Sequence, residues 1–130
     1  MNIYFLIAGI LFFVLGLAHS ILGEYLIFRY RRNKGSIVPT KVSEGLKGGH
    51  LRIIWATWHV ASVVGWCVGA LVTKIAVEQS KLDVEFVDFA VKAIVVTAFA
   101  SSLLVLIGTK GKHPGWVVLL LISILLVIGK

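Results

Sequence analysis

Residues 1–28 contain one acid, Glu24, and no base, a run that few folds in water can accommodate. At 1.5 Å per residue, a helix over this run covers the ~30 Å hydrocarbon layer of a bilayer with length to spare. Arg29, Arg31 and Arg32 end it abruptly. Three further apolar runs follow, so spans are expected at about 3–28, 53–73, 89–107 and 114–129. Composition agrees: with 58% apolar residues, 15% charged and a mean hydropathy of +0.97, the 130 residues cannot supply the polar surface of a small soluble globule. The expected fold is a single all-α membrane domain over 1–130, a bundle of four transmembrane helices.

The connections differ in character. Residues 33–51 are polar, with Gly35, Gly45, Gly48, Gly49 and Pro39, and read as a loop carrying a short surface helix around 43–47. Residues 74–88 alternate charged and apolar side chains and read as a short amphipathic connection. Residues 108–115 form a tight basic turn with Lys110 and Lys112. Pro114 then suits the first turn of a helix, where its missing N–H is not needed, and Trp116 suits a membrane interface.

Charge sets the expected orientation. The first loop carries Arg29, Arg31, Arg32, Lys34, Lys41, Lys47 and Arg52 against Glu44, and the third carries Lys110 and Lys112 with no acid. The second holds Lys74 and Lys81 against Glu78, Asp83, Glu85 and Asp88. By the positive-inside rule the basic loops are cytoplasmic and both termini lie outside, in the inner (plasma) membrane of a cell. A net charge of +7 distributed this way points to the lipid bilayer as partner and to no nucleic acid. Gly16 and Ala18 offer a small-x-small cleavage pattern, but no base precedes Glu24, so the first run is expected to stay uncut. Cys67 stands alone, which excludes a disulfide framework and any cysteine-built metal centre.

The informative residues are polar ones inside apolar runs. His19 lies about 15 Å inward from Arg29, and His59 about 10 Å inward from Arg52, so the two imidazoles reach similar depth. Gly9, Gly16 and Gly23 recur every seven residues, and His19 sits on the same small-residue stripe. On the second run Arg52, Trp55, His59, Ser62, Trp66 and Gly69 follow three-and-four spacing, one aromatic and polar face. The third run has Ala90, Ala93, Thr97, Ala100 and Ser101 on a small-residue face, with Asp88 and Lys92 spaced to pair.

Ionisable groups in a bilayer are costly, which makes His19, Glu24 and His59 candidates for function. Their plainest roles are structural: an interhelical hydrogen bond to Ser20 or Ser62 for the histidines, and for Glu24 an ion pair with Arg29 or another arginine of the first loop. Three functional chemistries stand beside these. Two facing imidazoles, with Arg52 orienting a propionate and Trp55 forming part of an aromatic wall, suit a haem b. His19, His59, His113 and Glu24 together suit a transition metal, Zn, Cu or Fe. Histidine also changes charge near neutral pH, which suits a proton relay.

The stretches His19-Ser20-x-x-Gly23-Glu24 and Leu51-Arg52-x-x-Trp55-x-x-Trp58-His59-x-x-Ser62 resemble those of small bacterial integral membrane proteins of four helices. That resemblance implies the fold and the inner-membrane location, and no activity. The small multidrug transporters share length, span number and an acid in the first helix, and nothing further. Respiratory haem anchors share histidines in short spans without their arginine and histidine signatures. The leading expectation is a membrane protein with a histidine-lined site for a metal ion or haem. The alternatives are a proton-coupled small-molecule transporter, as a homo-oligomer, and a non-catalytic accessory subunit of a larger membrane complex. No activated nucleophile is recognisable, so the sequence leaves enzymatic activity open and leans against it.

Overall fold

The computed structural model describes residues 1–42 and 45–130. Of the surface helix expected over 43–47, Ser43 and Glu44 lie outside the described residues, and 45–47 are not helical. The described chain is all-helical: α1 (Ile3–Gly23), α2 (Gly48–Glu78), α3 (Val84–Gly108) and α4 (Gly115–Ile128). Three of these, with their short extensions, are long and apolar enough to cross a membrane: Ile3–Arg31, Gly48–Lys81 and Val84–Gly108. The fourth, at 14 residues, reaches only about 21 Å.

Helix ends are set by caps and pairs rather than by the edges of the apolar runs. The Asn2 side chain accepts from Phe5 N and starts α1, and Asp83 accepts from Phe86 N at 2.7 Å to start α3. Residues 74–88 are therefore not an amphipathic connection. The stretch from Ala70 to Asp83 holds neither glycine nor proline, so α2 runs on to Glu78, with Lys74 and Glu78 pairing at 3.0 Å, and a single 3₁₀ turn (Gln79–Lys81) leads to Asp83. α2 also starts earlier than its apolar run, at Gly48. Beyond Gly23, α1 loosens into a π turn over Glu24–Phe28 and a 3₁₀ turn over Arg29–Arg31. Between α3 and α4, Lys110 and Gly111 are both left-handed, at φ 51° and 74°, which reverses the chain sharply.

In the bundle α1 is central, packing against α2 on one side and α4 on the other, while α3 packs on α4. Consecutive α2 and α3 barely touch. The α1–α2 seam is close because glycines line it. A Cβ on Gly16 would meet the Trp66 indole at 2.6 Å, one on Gly23 would overlap the Trp58 indole, and one on Gly69 would meet Gly9 O at 3.0 Å. The apolar core gathers towards the end holding both termini, around Phe5, Ala8, Val72, Ala76, Val91, Ile122 and Leu126. There Asn2 ties three helix ends together, its N–H donating to Ala76 O at 2.7 Å and its amide to Gly129 O at 2.6 Å. Asp88 closes the same end by pairing with Lys92 and Lys130. The outward faces are apolar, with Leu17, Val63, Phe89, Leu104 and Ile107 among many exposed large side chains, a surface suited to lipid.

Candidate functional site

At the opposite end, nearer the basic loops, the apolar packing gives way to a connected polar chain between α1 and α2. Glu24 opens the π turn, an element that is rare and concentrates at functional sites. Its Oε1 lies 2.7 Å from Arg32 Nη2, and its Oε2 accepts from Trp55 Nε1 at 3.2 Å. The same Oε2 is 3.6 Å from His59 Nε2. On the other side of the ring, His59 Nδ1 is 2.9 Å from Ser20 Oγ, which in turn lies 3.0 Å from Ser62 Oγ. Among the described residues neither Glu24 Oε1 nor Arg32 Nε has a well-directed hydrogen bond, so that pair is held by charge more than by direction.

This chain has two self-consistent hydrogen patterns. With neutral His59 protonated on Nε2, Ser62 donates to Ser20 and Ser20 donates to Nδ1. With His59 charged, Nδ1–H donates to Ser20, Ser20 donates to Ser62, and the imidazolium faces the Glu24 carboxylate. Passing a proton along the chain converts one pattern into the other and reverses both hydroxyls. At 3.6 Å the His59–Glu24 contact is within ion-pairing range for a protonated ring, and must shorten by about half an ångström to become a hydrogen bond.

Ser62 is buried, and it also lines a cavity of about 450 Å³. That cavity occupies the space left because α2 and α3 do not close on each other. Phe12, Leu15, Val64 and Val68 make its apolar part, and His19, Ser101, Thr109 and His113 supply polar groups. The Trp58 indole forms part of the wall and fixes His19 twice: its Nε1 donates to His19 O at 2.9 Å, and the two rings stack at 4.2 Å with 6° between planes. His113 Nδ1 accepts from Gly115 N at 3.0 Å, which leaves the proton of the neutral ring on Nε2. Thr109 spends its hydroxyl on Val105 O, whereas among the described residues Ser101 and the His19 ring nitrogens have no hydrogen-bond partner.

The structure thus divides the residues expected at one site into two. His59 and Glu24 belong to the polar chain, with Trp55 as a donor to the carboxylate, whereas His19 and His113 belong to the cavity. His59 has one ring nitrogen on Ser20 and the other towards Glu24, while His19 lies flat on Trp58, so the two imidazoles do not share a facing axis. Among the described residues no three His, Cys, Asp or Glu side chains gather where a metal ion would fit. Arg52 is exposed, and the arginine at the carboxylate is Arg32 of the first loop. Three-and-four spacing places Ser20 beside Gly16 and Gly23, but periodicity cannot choose Arg32 over the neighbouring arginines. That choice depends on the π turn and on the path of the loop.

The chain matches no protein-family model, and comparisons with curated proteins and with solved structures find no similar chain.

Proposed function

We propose that this is a four-span protein of the cell's inner membrane, basic loops cytoplasmic and termini outside, that couples proton movement to a small molecule held between α2 and α3. The observation carrying this reading is the chain Arg32–Glu24–His59–Ser20–Ser62, which begins near the basic loops and ends in the wall of the cavity. His59 is the group that takes and releases the proton. Glu24 stabilises its charged form, and Arg32 balances the carboxylate when the ring is neutral. One His59 nitrogen bonded to Ser20 and the other turned towards the Glu24 carboxylate favour this role over metal or haem ligation. The short α4 is accommodated by its ends, where Trp116 and Lys130 suit the two interfaces and the bilayer thins locally.

The test is proton movement in vesicles containing the purified protein and an internal pH dye. A panel of lipophilic weak acids, amines and quinones is added in turn. At least one class should carry protons faster than in protein-free vesicles, and His59→Gln should reduce that excess by about a hundredfold or more, as expected for loss of a general acid–base group. A panel that moves no protons, or movement that His59→Gln leaves unchanged, refutes the coupling.

A further inference from the structure

Building on the proton-coupled reading, we infer that the cavity between α2 and α3 takes an amphipathic weak acid, a carboxylic acid carrying an apolar tail. Size comes first. A volume of about 450 Å³ lies within the ~300–1,000 Å³ of sites that bind small organic molecules. Access comes next: because α2 and α3 barely touch, the opening lies sideways, between two helices whose outer faces are apolar. A ligand arriving that way comes from the acyl-chain layer and arrives neutral, since charge at that depth is costly.

The lining selects the headgroup. Among the described residues no Asp or Glu lines the cavity, and neither does any Lys or Arg. An amine would therefore find no counter-charge, and a permanently charged phosphate would find no arginine. What it would find is two histidines, His19 and His113, and the hydroxyl of Ser101, which has no hydrogen-bond partner among the described residues. His113 offers its Nε2–H, because its Nδ1 accepts from Gly115 N, and His19 offers one donor when neutral and two with a charge when protonated, so both rings suit the oxygens of a carboxyl group. Past His113 the third loop carries Lys110 and Lys112 and no acid, so charge favours the anion at that end. Phe12, Leu15, Val64 and Val68 receive the tail.

The proton balance closes without any further reagent. The carboxyl O–H passes its proton to Ser62, Ser62 passes its own to Ser20, and Ser20 passes its own to His59 Nδ1. The bound acid becomes a carboxylate, both hydroxyls are restored in reversed orientation, and His59 becomes an imidazolium facing Glu24. The carboxylate is left beside His19 and His113.

A long-chain carboxylic acid bearing a diazirine, photolysed with the wild-type protein in phosphatidylcholine nanodiscs, tests this without any variant. Label should concentrate on the segments containing Ala61–Val68 and Thr97–Val105, and excess unlabelled acid should displace it while its methyl ester does not. Label spread evenly over the lipid-facing residues overturns the assignment, as does equal displacement by the ester, a prenylquinone or an anionic phospholipid. Replacing both cavity histidines, His19→Gln with His113→Gln, should reduce the preference for acid over ester about tenfold, or ~1.4 kcal/mol. Unchanged preference in a double variant that still labels at the same segments overturns the headgroup assignment. In His59→Gln, acid-selective labelling should persist while proton movement is lost. Labelling that persists with proton movement unaffected supports the ligand and refutes the relay, so the two readings fail separately.

Discussion

The two faces of α2 meet their neighbours in opposite ways. Towards α1 the helix is locked, with Trp58 and Trp66 lying over Gly23 and Gly16 and donating to His19 O and Phe13 O. Towards α3 it is open, and a Cβ built on Gly65 meets nothing within 4 Å. Small residues therefore mean different things on one helix. Against α1 they bring backbones and indoles together, and towards α3 they leave a space that the chain does not fill itself. In lipid the apolar effect does not close such a gap, because acyl chains are as apolar as leucine. The gap persists where no shape-matched partner was built.

The sharpest way to break this contrast is to substitute both kinds of glycine alike. Gly16→Leu drives a side chain into Trp66 and should lower stability by about 3 kcal/mol, the upper range for overpacking, read as the midpoint of denaturant-induced unfolding in detergent. Gly65→Leu should leave that midpoint within about 0.5 kcal/mol, as for substitutions away from packed features. It should instead weaken acid-selective photolabelling about tenfold, ~1.4 kcal/mol, by filling the cavity. If both variants unfold alike, the α2–α3 face is as tightly packed as the α1–α2 face and the contrast is lost.

Much of the α1–α2 face was legible in the sequence and little of the α2–α3 face was. Seven-residue glycine spacing in α1 and the tryptophan and histidine spacing in α2 are periodic signals, and periodic signals report which residues share a face. They identified Ser20 and Ser62 as partners within reach of a histidine, and Glu24 as a carboxylate with a first-loop arginine. They could not report that His19 and His59 diverge. Matching depth along two helices leaves the rotation of each side chain free, and here Trp58 takes His19 while Ser20 takes His59. The cavity is a property of four helices at once, depending on α3 packing on α4 rather than on α2, which no single run encodes. The length of α2 escaped for another reason, since hydropathy marks where a helix is apolar and caps mark where it ends.

Within the polar chain, Glu24→Gln separates charge from hydrogen bonding. The amide oxygen still accepts from Trp55 Nε1, but Arg32 and the charged form of His59 lose their counter-ion. Stability should fall by about 1 kcal/mol, the scale of a single net hydrogen bond in a group that is part-exposed. Proton movement should fall much further than stability. Unchanged proton movement would mean that the 3.6 Å contact carries no coupling and that Glu24 serves Arg32 alone.

The smallest effect belongs to the seam that holds α3 in place. Ser102 is buried and its hydroxyl donates to Trp116 O at 2.8 Å, one of few polar links between α3 and α4. Ser102→Ala should lower stability by about 0.6 kcal/mol, the average for an interhelical hydrogen bond in a membrane protein. Its value lies in what it leaves alone. The neighbouring Ser101 faces the cavity and keeps its hydroxyl, so photolabelling should keep its wild-type pattern and acid preference. Ser101→Ala should do the reverse, holding stability and lowering the acid preference, because it removes a hydroxyl with no protein partner among the described residues. If the two alanines act alike, α3 moves as a unit on the cavity, and the open face of α2 is a matter of helix placement rather than of the side chains that line it.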